Sequence, residues 1–241
     1  MDKDLLTDCA KNMWAFPLIG AFLGLLAGLF GWMANQFLPS LVVGALALAL
    51  LLWMTGLHHT DGLLDFGDGI MVHGSAERKI EVMHDQLTGA GAIGLTLMTY
   101  LITAFAFVEL GRTVFIGSLA LPLIFPALIV VELCAKLSMV VVARAGKSVH
   151  QGMNSPFLEA MHGSKGNLRL IVAVAISLAI ALPILRWAGV FTVLAGIITG
   201  LLMVAVAHKH FNGVTGDVFG ATNELARMVC AVVLLAVIAW V

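Results

Sequence analysis

Long apolar stretches separated by short polar segments make up the chain. A membrane-spanning helix needs roughly 20 mostly apolar residues. On that basis the sequence predicts spans near 16–36, 38–57, 89–110, 113–143, 168–186, 187–207 and 224–241. The stretch 113–143 is longer than the others, and it fits either one tilted helix bent at Pro122 and Pro126 or two short helices.

The positions of lysine and arginine favour a single crossing in that stretch. The chain then crosses seven times, and the long polar segments (the N-terminus, 58–88, 144–167 and 208–223) share one side with most of the basic residues. Only Arg112 and Arg186 lie opposite. Because basic loops stay in the cytoplasm, we expect an all-α, polytopic transmembrane helical bundle of about seven spans with a cytoplasmic N-terminus. It would form one integral domain, 1–241, in the cell (cytoplasmic) membrane.

The composition excludes most other classes of protein. Hydrophobic residues make up 61% of the chain and charged residues 11%. In soluble domains about 45–50% of residues are apolar and about 25% are charged. So much apolar surface excludes a soluble enzyme, a disordered chain and a secreted disulfide scaffold. A net charge of -1 argues against nucleic acid as a partner. Glycines four apart, at Gly20, Gly24 and Gly28, favour close helix packing.

The polar segment 58–89 carries the first candidate site. Asp61, Asp65 and Asp68 are spaced four and three apart, so on a helix their carboxylates share one face. Like charges on one face repel each other unless a cation lies among them, and Mg²⁺ binds one or two carboxylates together with substrate phosphates. Glycines after Asp61 and Asp68 leave room for a phosphorylated ligand. The plainer interpretation is a solvated polar hairpin.

A second helix is predicted just beyond, with Ser75 as its N-cap. Glu81 and Asp85 lie four apart and would share a face of that helix, which makes them further candidate metal ligands. Arg78 on the same helix could meet a phosphate group.

A glycine-rich segment near the C-terminus is the second candidate site. Its glycines suggest a loop that wraps a polar ligand with backbone N–H groups, although an ordinary interhelical turn is the alternative. Asp217 adds an acid on the same side of the membrane as the first site. The other residues of interest in this segment are Gly213, Thr215, Gly216, Gly220 and Asn223.

One pair of charges falls inside the fourth span. Glu132 and Lys136 lie one helical turn apart, and charges within a membrane are functional or paired. They indicate either an ion pair facing the bundle or a lysine that reaches a substrate phosphate.

These features together favour transfer of a phosphate-linked group at the membrane surface. Metal ions in such sites bridge phosphate oxygens and offset the charge that builds on the leaving group. A divalent-cation or phosphate transporter is the rival of another class. It is less favoured because the acids cluster at one interface, whereas transporters bind near the midplane.

Three segments resemble the cobalamin synthase (adenosylcobinamide-GDP ribazoletransferase) family, and the likeness covers essentially the whole chain. Residues 59–69 resemble its H-x-D-G-L-x-D-x-x-D-G signature, residues 81–89 its E-x-M-x-D-x-x-x-G segment, and residues 214–221 its V-T-G-D-x-x-G-A segment. One departure is the absence, after Asp85, of the arginine in the family's common D-S-R-x-G.

The resemblance implies a Mg²⁺-dependent enzyme of late cobalamin biosynthesis. It would join adenosylcobinamide-GDP to α-ribazole or α-ribazole 5′-phosphate and release GMP, through attack of the ribose 3′-hydroxyl. His59 or an aspartate would take the hydroxyl proton, and assembly into a homo-oligomer is left open. The predicted catalytic residues are Asp61, Asp65, Asp68 and His59. The predicted metal ligands are Asp61, Asp65, Asp68, Asp85 and Glu81. The predicted substrate-binding residues are Thr215, Gly216, Asp217, Asn223, Lys136 and Arg78.

A lipid-modifying enzyme is the nearest alternative in chemistry. Residues 65–69 match the D-x-x-D-G opening of the CDP-alcohol phosphatidyltransferase motif, but Ile70 and Met71 stand where its A-R should follow. The released nucleotide separates the candidates, because the synthase releases GMP, the lipid enzyme CMP, and a transporter neither.

Overall fold

The computed structural model describes residues 3–112, 114–115, 121–149 and 154–240, and this part of the chain is almost entirely helical. Two strands of two residues each form a short antiparallel hairpin. In chain order the elements are α1 (Lys3–Lys11), a 3-10 turn (Met13–Ala15), α2 (Phe16–Ala34), α3 (Ser40–Met54), α4 (His58–Met71), α5 (Ala76–Met83), α6 (Ala90–Arg112), β1 (Val114–Phe115), β2 (Leu121–Pro122), α7 (Ile124–Ala145), α8 (Ser155–His162), α9 (Gly166–Phe211) and α10 (Gly216–Ile238).

Several of these helices are long and apolar enough to cross a membrane. Five candidate spans are long and apolar enough. They are α2 together with the 3-10 turn before it, α6, α7, α9 and α10. The pair α3 and α4 passes only when taken together, and it is bent by 96° at the break between them. Because α4 carries three aspartates and two histidines, we treat it as lying outside the spans. The predicted all-α polytopic architecture is confirmed, while the count of seven spans and the orientation stay predictions.

The helix α9 reverses direction near its middle. It runs for 46 residues, with a non-helical backbone at Arg186 (φ 55°, ψ -137°). A Cβ atom on Gly189 would lie 2.2 Å from the carbonyl oxygen of Ala181, whereas eight residues of straight helix would separate the two by about 12 Å. The chain therefore turns back at the boundary predicted between the stretches 168–186 and 187–207.

The centre of the bundle is α7, most of whose side chains are buried. The glycine stripe of α2 packs directly on its backbone: a Cβ on Gly20 would lie 2.3 Å from the Glu132 carbonyl oxygen, and one on Gly24 2.2 Å from that of Leu128. Gly28 meets the backbone of Phe125 in the same way. The predicted close packing is confirmed, because side chains at these positions would push the two helices apart.

The predicted fourth span, 113–143, is wrong at its N-terminal end. A single helix, α7, begins at Ile124, and the residues before it include the hairpin of β1 and β2. Pro122 lies in β2 and Pro126 in the first turn of α7, where the missing N–H has no partner to lose. Residues 113 and 116–120 lie outside the described residues.

Candidate active site

The two candidate segments meet where α4 crosses the start of α10. A Cβ on Gly62 would lie 2.9 Å from the backbone oxygen of Asp217, and one on Gly220 would lie 3.2 Å from the Cα of Gly62. The helices therefore touch backbone to backbone. This contact brings Asp61 and Asp217 to one place, although they are far apart in the sequence.

The glycine-rich segment is helical, so the predicted ligand-wrapping loop is wrong over residues 216–223. These residues form the first two turns of α10. Thr215 is the N-cap: its Oγ1 accepts from the Val218 N–H at 3.4 Å and donates to Asp217 Oδ2 at 3.2 Å. A threonine cap and an acid in the first turn both stabilise a helix N-terminus, and here they outweigh the flexibility of Gly216 and Gly220.

Three of the predicted acids line one cavity of about 370 Å³, which we call the acidic cavity. These are Asp61, Asp65 and Asp85, with His84 and Thr88 among the other lining residues. Burial raises the pKa of Asp65 to about 7, and the nearby charges of Asp217, Asp61 and Asp68 add to the effect. None of the ion pairs that the structure describes involves the three aspartates of the cavity. Among these aspartates, Asp61 and Asp65 repel each other.

Protein groups by themselves do not complete a metal site here. Over the described ranges, no three histidine, cysteine, aspartate or glutamate side chains converge closely enough to hold a metal ion. A cation at the acidic cavity would need oxygen atoms from its substrate as well, and that is how Mg²⁺ is commonly held.

Glu81 and Arg78 lie apart from the cavity. The predicted N-cap Ser75 is confirmed, because its Oγ accepts from the Arg78 N–H at 3.4 Å. However, α5 ends at Met83, so Asp85 lies beyond it and the predicted shared face of Glu81 and Asp85 is wrong. The Glu81 carboxylate instead accepts from the Arg78 guanidinium at 2.6 Å, and both side chains are exposed.

Asp68 caps the next helix. One carboxylate oxygen accepts from the Gly89 N–H at 2.6 Å, and the other accepts from the Ala92 N–H at 2.8 Å. These donors belong to the N-terminus of α6, where backbone N–H groups lack helical partners. Asp68 lines neither the acidic cavity nor the larger one described next, and its catalytic and metal roles stay predictions.

A second cavity, of about 510 Å³, lies on the other side of Asp61, and we call it the aromatic cavity. Its wall includes Phe16 and Phe157, whose rings meet edge to face with centroids 5.9 Å apart. Asp217 also lines this cavity. The remaining apolar lining side chains are Met13, Met139 and Phe219. Asp61 is thus common to an acidic and a mostly apolar space.

Behind the cavities lies a buried network of charges. The Arg227 guanidinium donates to both carboxylate oxygens of Glu132, to one of them at 3.0 Å, and to Glu224 on its own helix. All three side chains are fully or almost fully buried. Glu132 therefore pairs with Arg227 and not with Lys136, which was one of the predicted alternatives. Arg227 can donate to both oxygens of Glu132 from the facing helix.

Lys136 instead joins the network to α4. Its ammonium group donates to Asn223 Oδ1 at 2.9 Å and lies 3.3 Å from His59 Nε2. The Asn223 amide donates in turn to Glu224 at 3.1 Å. The predicted substrate-binding residues Lys136 and Asn223 therefore contact each other, Lys136 also contacts His59, and neither Lys136 nor Asn223 lines the two cavities.

His59 is held as a neutral ring. Burial, followed by the nearby charge of Lys136, lowers its pKa to about 2. Because an ammonium group only donates, Nε2 accepts from Lys136 and the proton of the neutral ring is on Nδ1. Within the described part of the chain, this Nδ1 is buried without a hydrogen-bond partner.

Sequence reasoning missed Glu224 and Arg227. The available signal was a pair of opposite charges three residues apart at the start of an apolar stretch, a spacing that allows pairing on a helix.

The fold and site define a class: a polytopic helical membrane protein with a carboxylate-lined cavity where two distant segments meet. Comparison with known proteins defines the family. The sequence model of the cobalamin-5-phosphate synthase family matches residues 2–235, and the chain belongs to that family. It is therefore an enzyme, a transferase of cobalamin biosynthesis.

Curated relatives match along nearly the whole chain. The "Adenosylcobinamide-GDP ribazoletransferase" of Methanosarcina barkeri is 34% identical over 95% of this chain and 83% of its own length. The protein of the same name from Methanococcoides burtonii is 29% identical over 97% of this chain and 85% of its own length. The one from Thermococcus kodakarensis is 32% identical over 96% of this chain and 91% of its own length. No solved structure matches the chain.

Proposed function

We propose that this enzyme joins adenosylcobinamide-GDP to α-ribazole or α-ribazole 5′-phosphate, forming adenosylcobalamin or its 5′-phosphate and releasing GMP. The names of the relatives support the two substrates. The observation that carries the proposal is the acidic cavity, which Asp61, Asp65 and Asp85 line. A diphosphate and its counter-ion fit a space whose aspartates take part in none of the ion pairs of the described residues.

Mg²⁺ is the proposed cofactor. Asp61, Asp65 and Asp85 would hold it, with one or two carboxylates bound directly and phosphate oxygens of the substrate completing its ligands. When bound, Mg²⁺ would neutralise charge on the diphosphate and on the departing GMP. The raised pKa of Asp65 supports this assignment, because a nearby cation would offset both the burial and the negative charges that raise it.

The bond changes are those of a phosphoryl-group substitution. The ribose 3′-oxygen bonds to the phosphorus on the cobinamide arm, while the bond from that phosphorus to the oxygen of GMP breaks. The hydroxyl proton passes to a carboxylate, for which we propose Asp61, because it lines both cavities. His59 is the poorer acceptor, since its Nε2 already faces the Lys136 ammonium group.

The acidic cavity would open to the cytoplasm, because most basic residues fall on that side of the predicted topology. Ser164 and Asn212 are exposed on two of the polar segments. In a chain carrying Cys9→Ser, cysteines placed at these two positions should both be labelled by a membrane-impermeant maleimide from the cytoplasmic face. Labelling from opposite faces would contradict the orientation.

A turnover assay tests the activity itself. The purified protein in lipid vesicles, given adenosylcobinamide-GDP, α-ribazole 5′-phosphate and Mg²⁺, should form GMP and the joined corrinoid in equal amounts. Chelating the metal should stop both. Release of CMP from a CDP-alcohol lipid substrate, with no GMP, would show a lipid enzyme, and release of no nucleotide would argue for transport.

A further inference from the structure

The two cavities differ in chemistry and share one side chain. The acidic cavity presents several carboxylates, whereas the wall of the aromatic cavity is mostly apolar. Asp61 lines both. A reaction that joins two substrates needs two adjoining sites with a reacting group between them. The two cavities provide the adjoining sites, and Asp61 is the group that they share.

We propose, on the basis of the proposed function, that the aromatic cavity binds the benzimidazole base of α-ribazole while the acidic cavity holds the diphosphate. A benzimidazole carrying methyl groups is flat and apolar, and edge-to-face contacts with aromatic rings suit it. Phe16, Phe157 and Phe219 provide such rings. A cavity of about 510 Å³ is of a size typical for small-molecule ligands.

The polar groups of the aromatic cavity lie where a sugar would need them. Asp61 and Asp217 both line it, and their carboxylates can accept hydrogen bonds from ribose hydroxyl groups. His59 lines the same cavity, but its Nδ1 is buried and lies 4.0 Å from Glu224 Oε1. The two carboxylates provide for a hydroxylated sugar beside an apolar base.

The contact between α4 and α10 keeps the two spaces close together. The backbones touch at Gly62 and Gly220, and Asp61 and Asp217 on the two helices line the same cavity. With the base among the phenylalanine rings, the ribose faces Asp61, and its hydroxyl group faces the diphosphate across that residue. The aromatic cavity thereby orients the nucleophile and selects its base.

Steady-state kinetics of Phe157→Ala test the inference. The KM for α-ribazole 5′-phosphate should rise about 10- to 100-fold through loss of an aromatic contact, while the KM for adenosylcobinamide-GDP stays unchanged. Phe22→Ala is the matched control, because Phe22 is an exposed phenylalanine on α2 and both constants should match wild type. If Phe157→Ala does not fold, Phe157→Leu replaces it, with a smaller rise expected.

Equilibrium binding separates this inference from the proposed function. Asp65→Asn, on the acidic side, should bind α-ribazole 5′-phosphate as wild type does, whereas Phe157→Ala should bind it more weakly. Wild-type turnover with an unchanged ribazole KM in Phe157→Ala, or a raised KM for the corrinoid alone, would overturn the inference but leave the function standing. No turnover by wild type with either form of ribazole would instead overturn the function.

Discussion

Two groups of charged residues lie close together in this protein and differ in one respect. In the buried network, Glu132 and Glu224 both meet Arg227, and Lys136 meets Asn223 and His59. In the acidic cavity, the aspartates take part in none of the ion pairs of the described residues. The network is buried among the helices, whereas the acidic cavity is lined partly by exposed polar residues.

The difference indicates what each group is for. Buried charges are tolerated only when paired, so the network is explained by the protein's own groups. Carboxylates that repel one another at a cavity disfavour the folded state, and the proposed Mg²⁺ would relieve that repulsion. Substitutions should therefore affect folding in the network and turnover in the cavity.

The largest expected effect is on turnover in Asp65→Asn. The amide keeps the size of the side chain but removes its charge, so the variant should lose about 10²–10⁴-fold in rate, equal to several kcal/mol of transition-state stabilisation. Its thermal unfolding should occur at the wild-type temperature or above it, because removing one charge relieves repulsion. GMP release measures the rate, with the exposed Glu77→Gln as the charge-matched control. A near-normal rate at saturating Mg²⁺ would remove Asp65 from the site.

Arg227→Met should show the opposite pattern. It leaves the buried Glu132 and Glu224 without their partner, which should cost about 3–5 kcal/mol of folding free energy. The yield of folded protein and its unfolding in detergent provide the measurement, and Arg78→Met, which breaks only an exposed pair, is the control. Adding Glu132→Gln should restore part of the stability. Unchanged unfolding in Arg227→Met would mean that the network does not hold the bundle together.

A double-mutant cycle between Asp65→Asn and Asp217→Asn tests whether the acidic and aromatic cavities act as one unit. The charge of Asp217 reaches Asp65, so the double variant should be little slower than the slower single variant, with a coupling of about 0.5–3 kcal/mol. The measurement is the rate of GMP release from all four proteins. Rates that multiply independently would assign Asp217 to another step or to folding.

Asp68→Asn should show the smallest effect. The amide retains one acceptor oxygen where the carboxylate used two, so the free energy of unfolding should fall by about 1 kcal/mol. Turnover should fall less than in Asp65→Asn. Asp68→Ala, which removes both acceptors, should unfold more readily than Asp68→Asn, as thermal unfolding will show. A loss of turnover equal to that of Asp65→Asn, with unchanged unfolding, would place Asp68 with the cavity.

Features that depend on local sequence could be predicted without the structure. The aspartates at 61, 65 and 68 do lie on one helix, and Ser75 is an N-cap. Errors arose at element ends: α10 begins at Gly216, because a threonine cap outweighs glycine, and α5 ends at Met83, short of Asp85. Such ends depend on capping and on tertiary contacts, which hydropathy does not register.

By itself, the sequence determined the helical membrane class, the close packing of the glycine stripe and the candidate acids, because apolar length and residue spacing are local properties. Only the tertiary structure decided which charges pair. Asp68 accepts from the backbone at the start of α6, Arg227 donates to Glu132, and Lys136 contacts His59. Partners of this kind come from different helices. The choice among them is made when the bundle packs, since each buried donor then binds the acceptor nearest to it.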